Sequence, residues 1–577
     1  MHSKMFTTIT FSCIIALVYG QSPHVITTLG EVEGKTILFS EDSYIGVNKY
    51  IDVYKGIPYA EPPVGSLRFE KPRPKEHWIG TLNATEYSPP CIQPVDANPY
   101  TVVGKEDCLN LNIFVPQSKP HNASVMLFIH GGGFLTGTAS TDDYSGVVLA
   151  ATGDVIVVTI NYRLNFYGFL TTGDDDYPGN AGLFDQLEAL KWVNKNIGGK
   201  LCLLMNENKS NKKYTSKYLL TIYIYDNSRR NISKLTYMNS MDYTFQSGTS
   251  LCEWAYTERE KAKDLAITIG KKVGCEFTDS KSFVECMKGV DPETVANASV
   301  GINVYPGPVV DGIFIESSPE ILIRNGEFKA DTKIIIGTNK DDGTLLYLYL
   351  PDYLTPDTPK VSKSEFLNLI PTAFVPIEEA SNPHILDSIY FEYTDWSHAD
   401  DPEANYFDSG VQLATDFQFL CPSDAVQRAH VPVGNKVYVY LMSYTPKVPI
   451  FGFDFDWLGA GHAEELQFVF GLPFLNGTHI YSLEQPSDTD RNLSVEFMRY
   501  WTNFAKTGDP NTRGSEVSTP SFDEDLAVWP EFSIPELNYL DINPTSSPER
   551  AYRADKCAFW STYEPKLEQY AGICYMK

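Results

Sequence analysis

Nowhere in its 577 residues does the chain contain Gly-x-Ser-x-Gly. That absence excludes the usual strand-to-helix turn by which a sheet fold raises a serine hydroxyl for nucleophilic attack. A second deficit is local. Residues 200–244 hold no Gly, Ala, Val or Pro, although the chain as a whole has 40 Gly and 37 Pro. Close packing of a strand on its crossover helix needs small residues, and tight turns need Gly for positive φ. The block is instead crowded with Lys, Asn, Tyr, Leu, Ile, Ser and Thr, so it is no ordinary βαβ turn. On composition alone such text reads as a solvated surface insertion.

Positive charge is also scarce. The chain sets 46 Lys and Arg against 73 Asp and Glu, a net −27, which repels phosphate backbones and anionic membranes and argues against nucleic acid as a partner. Long apolar runs are missing too. The run from Phe11 to Val18, after Lys4 and before Gly20, is too short to span a bilayer and reads as a signal peptide over 1–20. No later segment is long and apolar enough to serve as a membrane anchor, and the end at Tyr575-Met576-Lys577 has no lipid-anchor tail. A soluble, secreted, extracellular protein is expected, with no requirement for a metal or cofactor.

What is present reads as a globular α/β chain. A hydrophobic fraction of 43% with 21% charged residues excludes disorder. Apolar, β-branched runs at 125–129, 155–160, 333–337 and 436–441 predict strands, and they alternate with helical patterns. One helix opens at 180–186 and continues through Leu187, Leu190 and Val193; another covers 495–506 and stops at Gly508. Sequons at Asn83, Asn122, Asn297, Asn476 and Asn492 are candidate glycosylation sites. Nine cysteines remain once Cys13 leaves with the signal, and an oxidising compartment makes disulfides their default.

Three motifs carry chemistry. The strand at 125–129 runs into His130-Gly131-Gly132-Gly133-Phe134, a loop with exposed amides in the form of an oxyanion hole. An acid follows in Asn339-Lys340-Asp341-Asp342-Gly343, and a histidine in Gly459-Ala460-Gly461-His462-Ala463-Glu464, the chain order of an α/β-hydrolase triad. Singly, a histidine among glycines is a structural residue and a glycine triplet a turn. Together and in order they read as catalytic.

Further text makes the chain resemble a type-B carboxylesterase, in the branch near the cholinesterases. It comprises Tyr54 to Ala60, Pro62 to Gly65 with Arg68-Phe69, Glu106 to Asn112, Asn161-Tyr162-Arg163, Pro178 to Gln186, Gln246-Ser247-Gly248, Glu465 to Pro473, Trp501 to Pro510 and Cys557 to Trp560. The resemblance implies one α/β-hydrolase domain over 21–577, a large mostly parallel sheet flanked by helices, interrupted by the aberrant segment 200–244. With that segment replaced, it implies a sheet that has lost an interior strand and its crossover helix, with ladder groups exposed on both sides and poor folding as the result. It implies acyl transfer through a serine ester, with His462 as general base, Asp342 (or Asp341) as its orienting acid where the family usually has Glu, and Gly132 and Gly133 as oxyanion donors. The nucleophile is missing. Ser247 falls on a later strand without the elbow pattern, and Ser210, Ser216, Ser228, Ser233 and Ser240 have no glycine neighbours.

The resemblance also implies disulfides Cys91–Cys108, Cys275–Cys286 and Cys421–Cys557, and ion pairs Arg68–Glu106 and Arg163–Asp185. Cys252 is left as a buried thiol, Cys202 unpaired, and Cys574 able to link two chains as a homodimer. No Trp lies between Cys91 and Cys108, no Phe lies in 302–305, and Leu345 and Leu346 follow the acid. A pocket for small uncharged carboxylic esters is therefore expected over one for a quaternary ammonium. Two readings stay open: a secreted ester hydrolase whose elbow is replaced by intron read-through, and a non-catalytic esterase-like binding or adhesion protein.

Overall fold

The computed structural model describes residues 22–95, 101–118, 123–197, 218–221, 241–300, 306–376, 380, 382–475, 480–482, 484–512 and 526–570. The 1–20 segment, Asn122, Asn476, Cys202, Cys574, residues 302–305 and the five serines of the block lie outside them.

Eleven strands make the central sheet: β1 Lys35–Glu41, β2 Val47–Pro58, β3 Asn110–Pro116, β4 Val125–Ile129, β5 Ile156–Ile160, β6 Tyr218–Thr221, β7 Met241–Gln246, β8 Lys333–Asn339, β9 Lys436–Met442, β10 Asn538–Ile542 and β11 Ser547–Arg550. Their order is β11-β10-β9-β8-β7-β6-β4-β5-β3-β2-β1. Every pairing from β5 across to β10 is parallel, while the β10–β11 pairing and those among β1, β2, β3 and β5 are antiparallel. This is the α/β-hydrolase architecture. Burial follows the same division: all residues of β4 and β5 are buried, as a parallel strand covered on both faces requires, whereas β1 is half exposed along its length.

The expected gap in the sheet is absent. Tyr218–Thr221, inside the aberrant block, pairs in parallel with β4 on one side and β7 on the other. The run Tyr218-Leu219-Leu220-Thr221-Ile222-Tyr223 is the most β-prone text of the block, and an open ladder on two neighbours is a template that such a run satisfies. The block also ends sooner than its composition implies, because Met241 to Thr244 already belong to β7. Ser247 does not lie on a strand; it follows β7 with φ 49° and donates its amide to Gly337 O at 2.9 Å.

The helices used below are α1 Val147–Gly153, α2 Ala181–Asn196, α3 Phe407–Thr415, α4 Cys421–His430, α5 Glu464–Val469 and α6 Asp488–Thr507. The last begins seven residues before the predicted 495, because Ser487 and Asp490 form a capping box there, and it stops at Gly508 with φ 75°. One core cluster covers the sheet from Val32 and Val53 to Trp501 and Leu540. A second, around Tyr347, Phe366, Phe407 and Trp457, supports the segment that carries the acid loop.

Candidate active site

The carboxyl ends of parallel strands share one edge of a sheet, and there the motifs gather. The glycine turn follows β4, Ser247 follows β7, Asp342 follows β8, and the His462 loop lies beyond β9. Between β4 and β7 the same edge is met by Thr221 at the end of β6.

Asp342 and His462 are brought together. His462 Nδ1 donates to Asp342 Oδ1 at 3.0 Å, and Asp342 is fully buried. The other carboxylate oxygen, Oδ2, accepts the amide of Asn339 at 2.9 Å, which fixes the short Asp side chain toward the histidine. Asp341 faces elsewhere. Its amide donates to Ala460 O at 3.0 Å and its Oδ2 accepts the Ala460 amide at 2.9 Å, so it braces the backbone of the histidine loop, and burial raises its carboxyl above the ordinary value. Gly459, at φ 61°, is required by this bracing, since a Cβ there would meet Asp341 Oδ2 at 2.4 Å.

The glycine turn is built around a buried neutral histidine. His130 Nδ1 donates to Gly131 O at 2.9 Å, its ring stacks on Tyr162 at 4.7 Å, and burial pushes its pKa down to about 4. Gly132 turns at φ 103°, where a Cβ would meet Thr136 O at 2.2 Å. Gly132 and Gly133 are exposed, and among the described residues neither amide donates to a protein acceptor. Ser247, in contrast, is fully buried, and its Oγ has no partner among the described residues; a substrate cannot reach it.

Two glutamates behind His462 went unnoticed in the sequence. Glu465 accepts Asn339 Nδ2 at 2.6 Å and Gln246 Nε2 at 3.3 Å; burial, then the charge of Asp342, raises its carboxyl. Glu464, also enclosed, accepts the Ile450 amide at 3.0 Å and Gln467 Nε2 at 2.6 Å. Burial pushes it up to about 8, helped by the charges of Glu465 and Asp490. Both stand in text that carries the motif and the resemblance, Glu464 closing the histidine motif and Glu465 opening the run to Pro473, but nothing in that text marks them as buried acids.

The supporting pairs lie within contact. Arg68 grips Glu106 at 2.5 and 2.8 Å, and Arg163 grips Asp185 of α2 at 2.7 and 2.7 Å, both in the two-pronged geometry that suits a guanidinium. Disulfides join Cys91–Cys108, Cys275–Cys286 and Cys421–Cys557. Cys252 is a free buried thiol that accepts the Thr249 amide at 3.1 Å, and burial pushes it up to about 12. Asn83, Asn297 and Asn492 are all exposed. Leu345 and Leu346 are half-buried.

A parallel hydrolase sheet, an aspartate–histidine pair beyond its carboxyl edge and a glycine turn after β4 define a carboxylic ester hydrolase scaffold of the cholinesterase type. The chain belongs to the carboxylesterase family, whose model matches residues 21–199 and 241–560 and, between them, passes over 200–240, nearly all of the aberrant block. It is 32% identical over 553 residues to a mouse cholinesterase, covering 90% of this chain and 85% of the relative. It is 31% identical over 542 residues to the acetylcholinesterase of Bungarus fasciatus, covering 90% and 84%.

Proposed function

We propose that this chain carries the acid–base part of a serine-esterase centre for small-molecule carboxylic esters and, lacking its nucleophile, is catalytically incompetent as written. The observation that carries this reading is the Asp342–His462 bond at 3.0 Å. With Nδ1–H donated to a buried carboxylate, the imidazole is held in the tautomer whose Nε2 accepts a proton from a hydroxyl and later returns it to the leaving alcohol. Gly132 and Gly133 supply amides for the oxyanion, each such donor being worth about 3 kcal/mol in the transition state. The missing part belongs after β6, and there Thr221 is followed by Ile222 and Tyr223 in place of a glycine-flanked serine.

On this reading residues 21–577 form one hydrolase domain that follows a signal peptide over 1–20. Three disulfides and the sequons at Asn83, Asn297 and Asn492 support a secreted, glycosylated protein, and Cys574 is the candidate for a link between two chains. The full chain is expected to hydrolyse p-nitrophenyl butyrate no faster than a heat-killed control and to escape fluorophosphonate labelling. Replacing 200–244 by the elbow-bearing segment of a related esterase is expected to restore both, and His462→Ala to abolish turnover again. Strong labelling of the unmodified chain at a mapped serine would overturn the assignment.

A closed sheet without an elbow favours a second reading, a non-catalytic esterase-like binding protein. Sequencing the mature transcript across codons 195–250 separates the two: a spliced-in elbow selects the enzyme, and an uninterrupted block in an abundant message selects the binding protein.

A further inference from the structure

A hydrogen bond at one ring atom leaves an imidazole free to swing about that atom. The ring of His462 has a second contact, with Phe419 at 4.8 Å between centroids and 34° between planes. Phe419 is buried and rides on a π-turn, Asp416–Leu420, between α3 and α4, closed by the Cys421 amide on Asp416 O five residues back. Such turns re-aim side chains within a helical run and concentrate at functional sites.

This turn is anchored on several sides. Asp416, fully buried, accepts Arg553 Nε at 2.6 Å and Nη2 at 2.5 Å, and the hydroxyl of Tyr393 at 2.9 Å. Gln418 O accepts the Trp254 indole N–H at 3.2 Å, and Gln418 Nε2 donates to Phe374 O at 2.8 Å. Cys421, the next residue after the turn, is tied to Cys557.

One helical turn earlier the same element reaches the acid. Thr415 commits its hydroxyl proton to Val411 O at 2.9 Å and accepts the amide of Gly343 at 2.9 Å. Gly343 follows Asp342 directly and sits so close to α3 that a Cβ would meet Val411 O at 2.2 Å. One continuous element, α3 and the turn that follows it, thus touches the ring of His462 through Phe419 and the residue next to Asp342 through Thr415.

We propose that Thr415 and Phe419 are positioning residues of the Asp342–His462 relay, Thr415 fixing the acid loop and Phe419 the plane of the imidazole, with the Arg553-to-Cys557 segment as the strap that holds them. This deepens the proposed function and rests on it for its purpose, but the geometry can be read without substrate.

The test uses the full chain with 15N-labelled histidine. A ring N–H bonded to a buried carboxylate gives a downfield, slowly exchanging proton resonance, assigned here by its loss in His462→Gln. Alongside it, the rate of His462 carbethoxylation by diethyl pyrocarbonate is followed by peptide mass spectrometry. Phe419→Leu, which keeps an apolar side chain but no ring, is expected to broaden the resonance and raise the rate about fivefold, while Phe419→Tyr stays within about twofold of the parent. Thr415→Val is expected to shift both readouts in the same direction and Thr415→Ser to restore them. Should Phe419→Leu fail to fold, as judged by thermal melting, the Thr415 pair decides. Parent-like values in Phe419→Leu, or in Thr415→Val, overturn the proposal. Absence of the resonance from the parent chain overturns the relay and with it the proposed function, a distinct result.

Discussion

Glu464→Gln should convert a pH-dependent protein into a flatter one. The carboxyl is fully enclosed between Ile450 and Gln467 and has a folded pKa of about 8 against an ordinary 4.5. Between those two values the folded chain keeps the proton and the unfolded chain releases it. The neutral carboxyl therefore supports the fold fully below pH ~4.5, and that support drains away as pH rises toward about 8. A window of that width corresponds to about 5 kcal/mol. The amide that replaces the carboxyl carries no charge at any pH and, with its oxygen at the Oε2 position that already receives the Ile450 amide and Gln467 Nε2, keeps both hydrogen bonds. Urea denaturation followed by tryptophan fluorescence, at intervals from pH 5 to pH 8, measures the difference between the two proteins. Glu465, raised by its own burial and by Asp342, adds a slope of the same sign to both proteins, and the variant also loses the repulsion between the two carboxylates, which flattens its curve in the same direction. The variant should match the parent at pH 5 and exceed it by several kcal/mol at pH 8. Parallel curves would show that the carboxyl is already ionised in the fold.

Two further perturbations probe the frame around the site. Asp185→Asn strands the Arg163 guanidinium, whose side chain is 3% exposed, and should cost about 3–5 kcal/mol in urea unfolding; a loss below about 1 kcal/mol would mean that the pair does not hold the start of α2. Cys252 should resist iodoacetamide at pH 8 in the native protein and react once urea is added, because the thiolate is the nucleophile and burial pushes this thiol up to about 12. Native alkylation at the rate of an exposed thiol would contradict its enclosure.

Legibility in the sequence followed the range of the interaction. Strands β4 and β5 announce themselves as unbroken apolar runs, and the acid and histidine motifs are marked by their glycines. Asp342 was preferred to Asp341 only through the resemblance, because neighbours in a loop differ only in where the backbone points them; Asp341 meets Ala460 and Asp342 meets His462. The start of α6 was readable in principle from Ser487 and Asp490 but was hidden by their distance from the apolar run. Strand β6 was misread because composition speaks against a packed crossover without forbidding a short strand in an open slot. Thr415, Phe419, Glu464 and Glu465 gave no sign, since their meaning lies in contacts across the fold.

Strand order along the sheet follows order along the chain except where β4 lies inside β5. The sheet can thus be laid down edge-first as the polypeptide emerges during synthesis, β1 to β5 pairing before β7 to β11 exist. Among the described strands, the only splice between those two portions of the sheet is β6, with four residues in register on each side. Among the parallel pairings only that of β9 with β10, three residues long, is shorter, so a pull directed across the strands would load these short seams together, and one that opened beside Thr221 would part the early-made portion of the sheet from the late one.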